Sequence, residues 1–246
     1  MIPKKIHYCW FGRNPLPESA QKCIASWRKY FPDYEIIEWN EDNFDVNAIS
    51  YTAQAYAAKK YAFVSDYARF KILYEHGGVY FDTDVEVIRP MDDIIARGAF
   101  MGFEIDAPRC GASMMVNPGL GLAVAPGLGL YAELLELYRT LQFILPDGSH
   151  NPQAIVRNTT QLLINHGLKD VAGIQHVADI YIYPREYFNP LDDSTGRLHI
   201  TDNTRSIHWY SKTWLDVSPW RTWLSRMSHR LFGDNFIANL RRRLHS

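Results

Sequence analysis

The sequence has few of the features that mark disulfide-rich proteins and nucleic-acid-binding proteins. Its 246 residues contain three cysteines, Cys9, Cys23 and Cys110, with no CxxC spacing. An odd number of scattered thiols predicts reduced, partly buried cysteines in a cytosolic protein and argues against a disulfide framework or a zinc site. The formal net charge is only −1, so the basic excess of a general nucleic-acid binder is missing and we expect no nucleic-acid partner.

Long apolar runs are also missing. No stretch approaches the roughly 18 apolar residues that a membrane-spanning helix needs, and residues 1–12 lack the apolar core of a secretory signal. We therefore expect a cytoplasmic protein. The composition, 47% hydrophobic and 22% charged, is that of an ordinary soluble protein. The length allows one large α/β domain or two small ones.

The first forty residues predict a β-α-β unit. Residues 4–12 have the apolar character of a buried strand that ends in a glycine turn, and residues 34–40 form a second short strand. Between them, residues 18–33 space apolar side chains at helical intervals and reach a helix stop at Pro32. A strand, a helix and a strand over this length predict a right-handed parallel crossover.

A longer helix is predicted over residues 52–76, where aromatic side chains recur at intervals of four, three and four residues. Gly77 and Gly78 supply the positive φ angles that end a helix. Residues 79–88 are rich in β-branched and aromatic side chains and predict a central strand. Further along, the predicted elements are strands over 98–105 and 110–116, a Gly/Pro-rich loop over 117–129, helices over 130–144 and 154–166, and strands within 174–190 and 197–210.

Two aspartates, Asp82 and Asp84, lie inside the apolar segment 79–88. Burying a carboxylate is costly unless another group pairs with it. In a strand the two side chains would point to the same side, and the carboxyl ends of strands are where open α/β sheets bind ligands. Oxygen donors at this spacing suit Mg²⁺ or Mn²⁺. The alternative leaves one carboxylate as a helix cap or salt-bridge partner and the other solvated.

Two enzyme chemistries use a DxD segment of this kind, phosphoester hydrolysis and glycosyl transfer from a nucleotide sugar. A haloacid-dehalogenase-like phosphohydrolase has Thr or Val four residues after the first aspartate, where this chain has Glu86. Its motif also normally lies on the first strand, whereas about 80 residues precede Asp82. The phosphohydrolase is the weaker alternative. A non-catalytic nucleotide-sugar or carbohydrate-binding module is a third, although a pure binder needs no metal site.

Residues 62–87, AFVSDYARFKILYEHGGVYFDTDVEV, resemble the centre of the DXD-containing sugar-binding region of family 32 glycosyltransferases. That group includes capsular-polysaccharide enzymes and enzymes similar to the yeast initiating mannosyltransferase. Three further blocks, at 2–12, 26–45 and 100–104, match it in order. The resemblance implies a GT-A fold, a single Rossmann-like α/β nucleotide-sugar-binding domain with a mixed, mainly parallel sheet. We assign that domain to residues 1–218.

The resemblance also assigns roles to five side chains. Trp10 matches the aromatic residue that stacks on the nucleotide base, with a plain core tryptophan as the alternative. Asp66 and Arg69 match the S-D-x-x-R element that holds the donor sugar and phosphate, with an intrahelical ion pair as the alternative. Asp84 matches the direct metal ligand, and Asp82 matches its partner at the ribose or sugar and at a metal-bound water.

Residues 206–214, SIHWYSKTW, resemble the closing I-H-x(4)-S-W element of the family, with Thr213 in place of serine. The resemblance implies that His208 is a third ligand of the metal or diphosphate. Lys212 would then be a counter-charge to the diphosphate, and Trp214 would cover the donor.

The predicted reaction is therefore Mn²⁺- or Mg²⁺-dependent transfer of a sugar from a UDP- or GDP-linked donor to a carbohydrate acceptor. Family members retain the anomeric configuration, and no acidic base for inversion stands out, although Glu104 and Asp106 stay open. Residues 151–163 depart from the T-G-P element of many family members. The contacts beside the reacting sugar, at Asn158 and Gln161 among others, are consequently left open.

The last segment, residues 219–246, contains six arginines and one aspartate next to an apolar stripe. Such a basic amphipathic helix is typical of a segment that lies on an anionic bilayer. The alternatives are a helix docked on the body of the protein and a partner-binding arm. The membrane interpretation predicts a peripheral protein at the inner face of the plasma membrane. It also suits lipid-linked oligosaccharide acceptors, as in capsule or O-antigen assembly.

Overall fold

The computed structural model describes residues 1–106, 113–151 and 155–211. Its strands are β1 (Lys5–Cys9), β2 (Glu35–Trp39), β3 (Gly78–Tyr80), β4 (Val85–Val87), β5 (Phe100–Ile105), β6 (Met115–Val116), β7 (Leu122–Val124), β8 (Gln175–Val177), β9 (Ile180–Tyr183), β10 (Leu191–Asp192), β11 (Arg197–Leu198) and β12 (Ser206–His208). Its helices are α1 (Glu18–Tyr30), α2 (Ser50–Ala57), α3 (Tyr61–His76), α4 (Asp92–Arg97), α5 (Gly129–Thr140), α6 (Ile155–Asn165) and α7 (Arg185–Phe188), with a 3-10 turn at Pro118–Leu120.

The main sheet has the strand order β2-β1-β3-β7-β5-β9-β8, and β6 pairs with β5. Strand β1 runs parallel to both β2 and β3, and β5 runs parallel to β9. Antiparallel pairing occurs at β7, which lies between β3 and β5, and at β6 and β8. This is the mixed, mainly parallel α/β sheet that the GT-A resemblance predicts.

The predicted β-α-β unit is confirmed in β1, α1 and β2, with Lys5 opposite Glu35 and Cys9 opposite Trp39. The helix is anchored by Trp27, which is fully buried and donates its indole N–H to the carbonyl oxygen of Val85 at 2.8 Å. The first helix therefore fixes the position of β4, which follows the two aspartates.

Apolar layers cover both faces of the sheet. Val79 and Phe81 pack in the cluster that contains Trp27 of α1, whereas Tyr80 packs in the cluster that contains Phe70 of α3. Successive residues of a strand point to opposite faces, so the alternation shows that β3 is buried on both sides. Within the described residues, each helix is too short or too polar to cross a bilayer.

The junction between α3 and β3 needs its two glycines. Gly77 and Gly78 have φ angles of 62° and 103°, as predicted. A Cβ atom at Gly78 would lie 2.8 Å from the carbonyl oxygen of Lys5. A carbon and an oxygen that are not bonded to each other clash at this distance. The chain can therefore pass from α3 directly into the middle of the sheet. His7 fixes this passage through a 2.9 Å hydrogen bond between its Nε2 and the carbonyl oxygen of Gly77.

Three predicted elements were wrong in extent. The helix expected over 52–76 is two helices, α2 and α3, and Lys59 between them has a φ of 57°. The strand expected over 79–88 is also two strands, β3 and β4, and the residues between them form a turn. The apolar pattern runs through both breaks, so periodicity alone did not reveal them.

The third error lies in the region expected to be a Gly/Pro-rich loop, residues 117–129. It contains β7, which pairs with β3 and β5 in the middle of the sheet. The strand is only three residues long and is flanked by glycine and proline, so its local signal is weak. Cys9 and Cys23 are buried free thiols, as predicted. Cys110 lies outside the described residues.

Candidate active site

The two aspartates lie in the turn between β3 and β4, at the carboxyl end of β3. Their common orientation was predicted from a continuous strand, and that reason was wrong because neither residue is in a strand. The turn nevertheless directs both side chains to one place. The antiparallel pairing of β12 with β4 sets His208 opposite Val85 and lets Trp209 donate its backbone N–H to the carbonyl oxygen of Asp84.

Asp82, Asp84 and His208 form a cluster in which one ligand atom from each residue lies within 4.8 Å of the others. His208 Nε2 is 3.2 Å from Asp84 Oδ1. Ligands of an octahedral Mg²⁺ or Mn²⁺, at about 2.1 Å from the ion, lie about 3 to 4.2 Å apart. Two carboxylates and one imidazole at this spacing therefore fit a divalent cation after a small adjustment.

The electrostatics of the cluster also fit a cation. Burial raises the pKa of Asp84, but His208 and hydrogen bonds from Ser211 outweigh burial and hold that pKa well below its usual range. Burial lowers the pKa of His208, but the neighbouring carboxylates, Asp84 first, raise it above its usual value. At Asp82, burial and the charge of Asp84 raise the pKa despite the nearby Arg69. Asp84 is thus held as a carboxylate with the protonated His208 as its counter-ion, and a divalent cation would take the place of that proton.

Arg69 of α3 joins a second cluster to the first. Its Nη2 lies 3.1 Å from Asp66 Oδ1 and 3.3 Å from Asp82 Oδ1, and its side chain is only 5% exposed. Its Nε donates to the carbonyl oxygen of Ser65, and its guanidinium lies 5.0 Å from the ring centre of Tyr80. The intrahelical ion pair considered as the alternative exists, but it also extends to the DxD turn.

Asp66 is buried, at 8% exposure. Burial raises the pKa of this carboxyl to about 7, although Arg69 acts in the opposite direction. An acid with this pKa exists in both protonation states near neutral pH, so it can either donate a hydrogen bond to a ligand oxygen or accept one from a hydroxyl.

The turn at Asn117–Leu120 approaches Asp82 closely. A Cβ atom at Gly119 would lie 2.3 Å from Asp82 Oδ2, so only glycine allows this approach. Asn117 shapes the turn, because its Oδ1 accepts the backbone N–H of Gly119 at 2.7 Å. Sequence reasoning missed both residues, since their proximity to Asp82 depends on the insertion of β7 beside β3.

Trp10 lies directly after β1 and is half-buried. It lines a cavity of about 230 Å³ together with side chains from the segments that follow β1 and β2: Arg13, Asn14, Glu38, Asn40 and Glu41. The segment after β1 neighbours the segment after β3, because β1 pairs with β3 with His7 opposite Tyr80. Neighbouring strands are about 4.8 Å apart. The structure therefore places Trp10 at the same edge of the sheet as Asp82.

Contacts around Asp84 involve two residues that sequence reasoning also missed. Ser211 donates its backbone N–H and its hydroxyl to Asp84 Oδ2, at 2.8 and 3.0 Å. The ring of Tyr210 packs edge-on against His208 with 4.2 Å between centroids. Proximity to His208 in the chain was the only signal for either residue.

The two acids left open as bases are both engaged. Glu104 accepts the Tyr210 hydroxyl at 3.0 Å and the Asn117 amide at 3.3 Å. Asp106 accepts the backbone N–H of Arg185, the first residue of α7, at 3.0 Å.

Two residues whose contacts the sequence left open, Asn158 and Gln161, lie in α6. Gln161 is exposed and donates to Asn165 of its own helix at 3.1 Å. Asn158 is buried in α6. Lys212, Trp214 and segment 219–246 lie outside the described residues, and the roles predicted for them stay predictions.

Comparison with known proteins gives one family match and several relatives. Residues 17–101 match the glycosyltransferase sugar-binding region that contains the DXD motif. Inositol phosphoceramide mannosyltransferase 1 of Schizosaccharomyces pombe is 30% identical over 111 residues, which are 41% of this chain and 33% of that protein. Inositol phosphoceramide mannosyltransferase 3 of the same yeast is 32% identical over 98 residues, 38% of this chain and 27% of that protein. The chain thus spans about a third of the length of these relatives.

Among solved structures, the PaToxG glycosyltransferase superposes with a TM-score of 0.48 and 18% identity over 67% of this chain and 69% of that chain.

The family match, residues 17–101, includes Asp66, Arg69, Asp82 and Asp84. It confirms the resemblance predicted from the sequence.

Proposed function

We propose that this chain, which carries a DXD-containing glycosyltransferase sugar-binding region, transfers a sugar from a UDP- or GDP-linked donor in a reaction that requires Mn²⁺ or Mg²⁺. The acceptor is a carbohydrate or a lipid-linked oligosaccharide. The observation that carries the proposal is the arrangement at one edge of the sheet. The two clusters share Asp82, and Trp10 follows the strand that pairs with β3, at the same edge.

The Trp10 cavity suits the nucleoside. An aromatic side chain that is half exposed offers a flat face on which a base can stack, an interaction of about 1–3 kcal/mol in nucleic-acid complexes. Glu38 and Glu41 on the cavity wall are hydrogen-bond acceptors for the N–H groups of a base or the hydroxyls of a ribose.

The three-residue cluster suits the diphosphate. A cation held by Asp82, Asp84 and His208 would neutralise the negative charge that grows on the leaving nucleoside diphosphate. Arg69 holds Asp82 from the opposite side and is itself fixed by Asp66. The carboxylate of Asp82 therefore keeps its orientation without a cation, and the guanidinium adds positive charge to the phosphate site.

Asp66 and Arg69 also suit the donor sugar. The pKa of Asp66 near 7 permits hydrogen bonds of either polarity to sugar hydroxyls. We further propose that the anomeric configuration is retained. The support is the resemblance to family 32 glycosyltransferases, whose members retain the configuration; Glu104 and Asp106 accept hydrogen bonds from protein groups but keep further acceptor capacity.

A lipid-linked acceptor has separate support. Two relatives are named for inositol phosphoceramide, a lipid, and segment 219–246 has the composition of a basic amphipathic helix. We propose that the reaction takes place at the cytoplasmic face of a bacterial plasma membrane during the synthesis of a surface polysaccharide.

The proposal is tested by measuring nucleoside-diphosphate release from UDP-glucose, UDP-galactose, UDP-GlcNAc and GDP-mannose with the purified full chain and Mn²⁺. We expect release from one donor class, loss of release with EDTA, and loss in Asp84→Ala. Asp33→Ala is the matched control, because Asp33 is an exposed aspartate whose ion-pair partner is Lys4. If the wild-type chain released no more than Asp84→Ala on every donor, with and without oligosaccharide acceptors, the proposed function would be wrong.

A further inference from the structure

Tyr210 has a backbone conformation that tyrosine rarely adopts. Its φ is 51°, in the left-handed region, two residues after His208 and one residue before Ser211. A bulky non-glycine residue in this region costs of the order of 1–3 kcal/mol unless its surroundings impose it. Strain of this size at the edge of a candidate active site requires a compensating set of contacts.

The side chain of Tyr210 makes these contacts. Its hydroxyl donates to Glu104 Oε1 of β5 at 3.0 Å and accepts from Asn189 Nδ2, which follows α7, at 2.8 Å. Asn189 is itself only 1% exposed and also donates to the carbonyl oxygen of Glu104. The phenol is thus held at its outer end by two elements of the fold that do not carry the DxD turn.

The ring of Tyr210 contacts His208. The two rings meet edge to face, at 61° between their planes and 4.2 Å between centroids. Within the described residues, the buried Nδ1 of His208 has no hydrogen-bond partner. Ligating histidines are usually oriented by a hydrogen bond to the nitrogen that does not bind the metal. Here ring packing takes the place of that hydrogen bond.

The backbone turn at Tyr210 acts on Asp84. Because the left-handed residue bends the chain back, Ser211 reaches the carboxylate with its N–H and its hydroxyl, both directed at Oδ2. Oδ1 of the same carboxylate faces His208. One residue therefore sets the orientation of both groups, the imidazole through its ring and the carboxylate through the next peptide.

We propose that Tyr210 is the positioning residue of the divalent-cation site. It fixes the orientations of His208 and Asp84 relative to each other, while its hydroxyl is anchored by Glu104 and Asn189. The inference rests on the proposed function, since it assumes that these two side chains bind the cation. An ordinary packing role does not account for the geometry, because a tyrosine that only fills space needs neither a left-handed backbone nor two hydrogen-bond anchors.

The test is the affinity of the purified full chain for Mn²⁺, measured by electron paramagnetic resonance of free and bound ion in the absence of donor. Tyr210→Gly removes the ring but adopts the positive φ without strain. Tyr210→Phe keeps the ring and removes the hydroxyl. Loss of an outer contact to a metal ligand typically weakens binding about 10- to 100-fold. We expect a loss of this size in Tyr210→Gly and a smaller loss, under about tenfold, in Tyr210→Phe.

Tyr34→Ala is the control for removing a half-buried tyrosine ring, since Tyr34 packs on Phe31 away from the DxD turn. It should bind Mn²⁺ as the wild type does. Asp84→Asn is the reference for loss of a ligand. If Asp84→Asn loses Mn²⁺ while folded Tyr210→Gly and Tyr210→Phe keep wild-type affinity within twofold, the positioning role is wrong and the proposed function stands. If Asp84→Asn also binds Mn²⁺ normally, both proposals are wrong.

If circular dichroism shows that Tyr210→Gly is unfolded, the Mn²⁺ affinities of Tyr210→Phe and Glu104→Gln test the proposal instead. Gln keeps an acceptor for the phenol, so Glu104→Gln should bind Mn²⁺ within about threefold of the wild-type affinity. Glu104→Leu should lose more Mn²⁺ affinity than Tyr210→Phe does. Equal affinity in Glu104→Gln, Glu104→Leu and Tyr210→Phe would contradict the anchored arrangement.

Discussion

Asp82 and Asp84 belong to one three-residue motif, yet different parts of the chain hold them. Asp82 is bound by Arg69 and Tyr80, residues that lie within 13 positions of it. Asp84 is bound by His208 and Ser211, more than 120 positions away. One carboxylate has a permanent cationic partner in the core of the fold, and the other is paired with a histidine with which it would share a metal ion.

The difference separates two roles within the same motif. The Arg69 cluster is formed by a helix and a strand that follow each other directly, so it is complete wherever α3 and β3 fold. The Asp84 cluster forms only when β12 pairs with β4. We infer that Asp82 contributes to the stability of the fold as well as to the site, whereas Asp84 contributes mainly to the site.

The largest effect is expected on removing Arg69, the positively charged residue that Asp66 and Asp82 share. Arg69→Met leaves the buried Asp66 and the half-buried Asp82 without their partner, and breaking a buried ion pair in this way costs about 3–5 kcal/mol. We expect a loss of this size in the free energy of unfolding, measured by urea denaturation. In His208→Asn we expect a smaller loss, because Ser211 keeps two hydrogen bonds to Asp84. Similar losses in the two variants would remove the distinction between the clusters.

The next effect concerns catalysis. Asp84→Asn should lower the rate of sugar transfer about 10²- to 10³-fold, the usual consequence of losing one electrostatic stabiliser of a developing negative charge. Its free energy of unfolding should change by less than that of Asp82→Asn. Steady-state kinetics and urea denaturation of the same two preparations test this. The opposite ranking of stabilities would contradict the assignment.

A smaller effect is a pH dependence that belongs to the Arg69 cluster. The pKa of Asp66 is about 7 in the folded protein because of burial, against about 3.9 in an unfolded chain. The folded state keeps a proton that the unfolded chain has released, so through this group the free energy of unfolding falls as pH rises from about 4 to 7. Asp84, whose pKa is lowered, has the opposite effect, a loss of stability at pH below about 4.

Urea denaturation of the wild type and Asp66→Asn at pH 5 and pH 7.5 isolates the first of these effects. We expect the wild type to lose more stability than the variant over this interval. Parallel pH dependences in the two proteins would show that Asp66 titrates normally.

The smallest effect on either cluster is expected from deleting residues 219–246. Nucleoside-diphosphate release with a soluble acceptor should stay within about twofold of the full chain, because both clusters are formed by residues before 212. Binding to anionic liposomes, measured by flotation, should fall, since each basic residue near such a surface contributes about 1 kcal/mol. Unchanged flotation would contradict the membrane role of this segment.

The parts of the fold that follow from local signals could be predicted. The β1-α1-β2 unit has clear periodicity and a proline stop, and the α3–β3 junction is marked by Gly77 and Gly78. The break between β3 and β4 was missed because apolar residues continue on both sides of the aspartates. Strand β7 was missed because its three residues gain their stability from pairing with β3 and β5, not from a pattern of their own.

The candidate site divides in the same way. Asp66, Arg69, Asp82 and Asp84 lie in one contiguous block whose spacing carries the signal. Gly119, Tyr210 and Ser211 reach the site through long-range strand pairing, which a single sequence does not reveal. His208 was identified only through the resemblance, and the β12–β4 pairing is what places it beside Asp84.

The most direct test of this account is an anomalous difference map from crystals of the full chain grown with Mn²⁺ and a nucleoside diphosphate. We predict a peak at about 2.1 Å from Asp84 and His208, with Arg69 still bridging Asp66 and Asp82 and with the base stacked on Trp10. A Mn²⁺ peak elsewhere in the molecule, or Asp84 and His208 paired with each other and without Mn²⁺ while the nucleotide is in place, would contradict it.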